Sequence, residues 1–96
     1  MIVVEWYREN SRFIKIELYI RDCVVEDIVF SGDFFEEPEG LIESIEKSVR
    51  GLQLSDAIKV LGSLDVYGRI IGVDWRDVYE KLCSMLREVY GECIKE

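Results

Sequence analysis

The sequence predicts an α+β domain of two layers, an antiparallel sheet of about three strands with about three helices packed on one face. Three observations predict it. Apolar and polar residues alternate through the first third of the chain, and apolar residues then recur at helical spacing through the rest. The two patterns follow one another without βαβ alternation, which separates strands from helices along the chain. At 96 residues the chain is read as a single domain, residues 1–96, able to bury roughly 60 to 65% of its unfolded surface.

Met1 to Tyr7 sets Ile2, Val4 and Trp6 against Val3, Glu5 and Tyr7, which predicts a first strand, and Arg8-Glu9-Asn10-Ser11 breaks the pattern as a turn. From Arg12 to Arg21, Ile14, Ile16, Leu18 and Ile20 line one face while Lys15, Glu17 and Tyr19 occupy the other, the signature of a half-buried antiparallel strand. Asp22-Cys23 reads as a two-residue turn, although a type I′ turn favours glycine at its second position. In the next strand Val25 precedes Ile28 and Phe30, a change of parity that a bulge near Glu26-Asp27 produces. Tyr7, Phe13, Lys15 and Tyr19 are the candidates for the uncovered sheet face.

Pro38 suits the first turn of a helix, and Glu36, Glu37, Glu39 and Glu43 crowd its positive end. This helix is expected to run to about Arg50 on a stripe of Leu41, Ile42, Ile45 and Val49, with Gly51 as its left-handed terminator and Leu52 packing back. Ser55 is expected to cap a second helix that buries Ala57, Ile58, Leu61 and Leu64 and ends near Tyr67-Gly68. Asp74 caps a third, with Val78, Leu82, Met85, Leu86 and Val89 inward and Gly91 at its end.

Twenty acidic against twelve basic residues give a net charge of -8. That balance opposes general affinity for nucleic acid or anionic membrane, so neither is expected as a partner, and a basic or neutral protein surface suits better. No apolar run approaches the about 18 residues of a membrane span, and the first residues lack the charge and apolar core of a signal peptide. The cytoplasm is the expected location. Asn10 and Gln53 are the only side-chain amides, a scarcity found in thermophile proteins. The three cysteines, Cys23, Cys83 and Cys93, form no closely spaced pair and leave at least one thiol free, the pattern expected of an intracellular protein with free thiols.

A serine or cysteine nucleophile needs a base, and the chain has no histidine. Nor do its cysteines fit paired zinc spacings, and no glycine-rich loop is present to cradle phosphates. The carboxylates from Glu36 to Glu46 read as a solvated helix start. No catalytic residue, cofactor-binding residue or metal ligand is therefore expected on this chain. The candidate partner-facing motif is Gly32-Asp33-Phe34-Phe35. Adjacent strand residues point to opposite faces, so Phe34 and Phe35 bury different surfaces or leave the sheet, which frees one of them for a partner. Asp33, after a glycine at a strand end, is placed to accept backbone N–H groups in an Asx turn.

An alternating strand, a turn, a shorter strand, Ser31-Gly32-Asp33-Phe34-Phe35 and three helices follow in an order that resembles the C-terminal domain of lipoate-protein ligases. The resemblance covers about Arg12 to Leu86, and the Gly51-Leu52 break and the Gly72-Val73-Asp74 helix start fall where the family's pattern expects them. It implies an accessory domain, similar to the separate small subunit of a bipartite ligase. The implied partner is the large catalytic subunit, which would carry the lipoate and ATP sites, form lipoyl-AMP and transfer the lipoyl group to a lysine of a carrier protein. The chain departs from the family at Cys23, where glycine is expected, and in the Arg8 to Ser11 connection. Two readings from other classes compete: a stand-alone acidic adaptor or homodimer that uses its sheet face or edge, and a thiol-based scaffold built on the three cysteines.

Overall fold

The computed structural model describes residues 1–7, 13–64, 70–71 and 73–94, with residues 70 and 71 described by their backbone alone. Strands β1 (Ile2–Trp6), β2 (Ile14–Arg21) and β3 (Val24–Gly32) form an antiparallel meander in that order. Val4 lies opposite Ile16, and Ile16 opposite Phe30, so the alternation read from sequence brings the apolar sides of all three strands to one face. Helices α1 (Leu41–Val49), α2 (Leu54–Gly62) and α3 (Trp75–Tyr90) cover that face, α1 against β3, α3 against β1, and α2 touching both helices. The expected two-layer α+β class is the one observed. A second ladder, β4 (Phe35–Glu36) with β5 (Ile70–Ile71), was not predicted, because two-residue strands carry no readable period.

The β2–β3 turn uses two left-handed residues, Asp22 at φ 52 and Cys23 at φ 63, as a type I′ hairpin demands. Tyr19 faces Asp27 while Ile20 faces Val25, which leaves Glu26 as the extra residue of the expected bulge. The outer edge of β3 is closed by the chain itself. Val25 N–H donates to Leu52 O at 2.8 Å, Ile28 N–H to Asp27 Oδ1 at 2.9 Å and Phe30 N–H to Glu46 Oε2 at 2.9 Å. Arg50 holds Asp27 from the far side at 2.8 Å.

Several helix boundaries differ from expectation. Pro38 lies in the turn before α1, after a cis peptide bond, and the helix starts at Leu41 behind Gly40 at φ 89. The Glu36 carboxylate accepts from the N–H groups of Gly40 and Ile42, so a side chain from ahead of the proline satisfies donors at the helix start. Gly51 at φ 88 ends α1 as predicted, and Leu52 packs against the core. Ser55 lies inside α2 and does not cap it. The cap is Gln53 without a side-chain bond, and Leu54 N–H is tied to Cys23 O at 2.7 Å. α2 ends at Gly62, earlier than expected, and the predicted turn at Arg8 to Ser11, the end at Tyr67-Gly68 and Gly72 lie outside the described residues. Asp74 caps α3 as predicted, accepting from Arg76 N–H at 3.1 Å.

Val78, Leu82 and Leu86 are buried as expected, but Val89 is 60% exposed. Tyr90, beside it in the last turn of α3, still packs against the core, so Val89 lies on the outward side of that turn. Trp75 is a core residue that the periodicity did not mark: its ring stacks on Phe30 with centroids 6.0 Å apart, and its Nε1 donates to Leu61 O at 3.2 Å. The expectation of at least one free thiol is met by Cys83, and the other two cysteines, whose pairing the sequence left open, are joined. Cys23 and Cys93 form a disulfide with Cα atoms 5.2 Å apart, joining the hairpin turn to the 3₁₀ turn Gly91–Cys93 that follows α3. Their separation of 70 residues gave no spacing signal, since only the folded chain brings them together. Cys83 is free and buried. Among the described residues, no helix is long and apolar enough to cross a membrane.

Candidate functional site

The corner from Gly32 to Phe35 is built by the end of β3 folding over the start of β2. Gly32 pairs with Ile14 at φ 146, and a Cβ there would stand 2.2 Å from Phe13 O. Only glycine fits both the backbone angle and the space. Asp33 then clasps Phe13 from both sides: its N–H donates to Phe13 O at 3.1 Å, and its Oδ1 accepts from Phe13 N–H at 2.5 Å. This bond joins the end of β3 to the start of β2 and makes the carboxylate an acceptor of backbone N–H, as expected of Asp33.

The two phenylalanines separate as the alternation requires. Phe34 is half-buried against the core, whereas Phe35, in β4 opposite Ile71, is 57% exposed. Large exposed aromatics in a rigid setting are favourable anchors at protein interfaces. Of the four motif residues, Gly32 and Asp33 therefore shape the corner, Phe34 fastens it and Phe35 presents a surface.

From Ser31 to Glu46 the chain carries Asp33, Glu36, Glu37, Glu39, Glu43 and Glu46 and no basic residue. Three of these have structural partners: Asp33 holds Phe13, Glu36 caps α1, and Glu46 holds the edge of β3. Glu43 pairs with Lys47 at 3.3 Å on the surface, an exposed contact of little energetic weight. Glu37 and Glu39 are exposed and leave an acidic margin beside Phe35. Among the described residues, no group of three or more potential ligands is placed to hold a metal ion.

A cleft of about 270 Å³ lies between α2 and α3, lined by Gly62, Leu64, Trp75, Arg76, Tyr79 and Glu80. The Tyr79 hydroxyl donates to Ile58 O at 3.3 Å. Burial, reinforced by the hydrogen bond and charge of Cys83 one turn along, pushes the phenol up to about 12. It stays protonated at neutral pH and ties the two helices together. A Cβ on Gly62 would meet the Tyr79 oxygen at 2.6 Å, so the glycine makes room for this contact. Neither residue was singled out from sequence, because a glycine at a helix end and a tyrosine on an amphipathic helix are ordinary occurrences. On the uncovered sheet face, Tyr19 is exposed, while Phe13 and Lys15 are half-buried and Lys15 pairs with Glu17 at 3.4 Å; Tyr7, just past β1, is exposed.

No protein-family model and no curated protein matches the chain. Among solved structures it is similar to a chain from an archaeal lipoylation system of Thermoplasma acidophilum, a structure of a bi-partite lipoate protein ligase and its E2 lipoyl domain. The identity is 25% and the TM-score 0.63, with 84% of this chain matched to 97% of that one. The resemblance read from the Gly32 to Phe35 corner and its flanking elements thus has a counterpart in three dimensions: this chain is similar, over nearly the full length of its counterpart, to a chain of a bipartite lipoate protein ligase system.

Proposed function

We propose that this chain is a non-catalytic accessory subunit of a bipartite lipoate-protein ligase, supporting ATP-dependent activation of lipoate to lipoyl-AMP and transfer of the lipoyl group to a carrier-protein lysine by the large subunit. The observation that carries the reading is the fold match, which spans 97% of a chain from such a system at 25% identity. The lipoate and ATP sites belong to the large subunit. The small domain contributes geometry: closing over the partner excludes water from the mixed anhydride and orders loops around it. Phe35, with its acidic margin of Glu37 and Glu39, is the docking anchor, and the face that receives it is apolar at its centre and cationic at its rim. The subunit works in the cytoplasm. Its disulfide agrees with that location in organisms whose intracellular proteins carry disulfides, as hyperthermophiles' do, and the paucity of side-chain amides points the same way.

The test measures ATP- and lipoate-dependent lipoyl-AMP formation, and transfer to a carrier domain, by the cognate large subunit with and without this chain. An equal amount of an unrelated acidic protein serves as control. Specific stimulation of either half-reaction is expected, and Phe35→Ala weakens binding about tenfold or more without lowering Tm. Unchanged binding and unchanged half-reactions would overturn the reading.

A further inference from the structure

Cys23 stands at the second position of the β2–β3 turn at φ 63, where a side chain is disfavoured and glycine is the ordinary solution. The turn itself has no need of a thiol, and Cys23 serves it through the main chain, its carbonyl accepting from Leu54 N–H. The bond to Cys93 accounts for the cysteine. Both sulfur-bearing residues are half-buried, within reach of a small reagent, whereas Cys83 is buried in α3.

The cross-link holds the 3₁₀ turn Gly91–Cys93. Cys93 and Ile94 pack at the margin of the core, where Ile94 N–H makes a local main-chain bond to Gly91 O at 3.2 Å. The hairpin tip is fastened independently, by Val25 N–H to Leu52 O, Gly51 N–H to Val25 O and Leu54 N–H to Cys23 O, at 2.7 to 2.8 Å. Opening the disulfide therefore releases the C-terminal turn and leaves the hairpin in place.

We propose that Cys23 and Cys93 form a redox latch on the C-terminal turn, a reactive site whose co-reactant is a dithiol whose two sulfurs close into an unstrained cyclic disulfide. One thiolate of the dithiol attacks a sulfur of the latch, forming a mixed disulfide and expelling the other cysteine. The second thiol of the reagent then attacks its own half of the mixed disulfide, leaves as a cyclic disulfide and frees the second cysteine. Two electrons and two protons pass to the cysteine pair, and the dithiol is oxidised. A monothiol stalls after the first step. The expelled cysteine remains tethered beside the mixed disulfide, at a high effective concentration, and recloses the latch before a second monothiol arrives.

The test incubates protein isolated without reductant with dithiothreitol or with glutathione at equal total thiol concentration, then alkylates it under denaturing conditions. With three cysteines in the chain and one of them free, the alkylation count is expected to rise from one to three with the dithiol. Glutathione opens at least about tenfold less protein. In the opened protein, amide hydrogen exchange rises in residues 91–94 while β2 and β3 keep their protection, and Cys93→Ser shows the same exchange pattern without any reagent. Three alkylatable thiols before treatment, equal opening by the two reagents, or loss of protection throughout β2 and β3 in both the opened protein and Cys93→Ser would each overturn the latch.

Discussion

A methyl group at Gly32 has nowhere to go, because the Phe13 carbonyl oxygen would be 2.2 Å away and the backbone angle excludes an L side chain. Gly32→Ala should therefore destabilise the domain by about 3 kcal/mol, measurable by urea unfolding, whereas Gly91→Ala, with open space around it, serves as the control. An unchanged midpoint would show that the corner can reshape itself. At this scale the sequence was informative where rules of alternation applied. Phe34 and Phe35 had to part company, and they do. Which of the two faces outward was not legible, since that depends on how the chain leaves β3 at Asp33, and the Asp33 clasp reaches Phe13, twenty residues away.

At the scale of elements, the contact between α2 and α3 depends on a phenol that stays neutral. Tyr79 has its pKa raised from 10.0 to about 12 by burial, with Cys83 adding to the shift. The folded state thus holds its proton more tightly than the unfolded state. The resulting stability is present in full below about pH 10 and is lost as the pH climbs toward about 12. In Tyr79→Phe the decline of Tm between pH 10 and 12 should be shallower than in the parent; parallel curves would assign that decline to other groups. The existence of the longer elements was legible from periodicity and the start of α3 from Asp74, whereas the starts of α1 and α2 were not. Pro38 and Ser55 carried familiar start signals, yet α1 takes its cap from Glu36 and α2 begins where Cys23 O binds Leu54 N–H. Both partners come from outside the local window in which capping rules are read.

For the whole molecule, the order of strands and helices sufficed to give the class, but the covalent tie across 70 residues left no trace in spacing. A loop of that size contributes roughly 2 to 4 kcal/mol by restricting the unfolded chain. Reduction, or Cys93→Ser, should lower Tm by roughly 10 to 30 °C in thermal scans, and an unchanged Tm in both would mean that the bond leaves the unfolded ensemble as broad as before. The two sheet margins also differ in a way that limits what the domain can build. β3 has given the N–H groups of Val25, Ile28 and Phe30 to Leu52, Asp27 and Glu46, which closes that margin of the three-stranded sheet to a foreign strand and leaves the margin along β1, where Lys81 Nζ donates to Glu5 O. Two such domains meeting there would turn their finished margins outward, and addition by strand pairing would stop at the pair instead of running on into a filament.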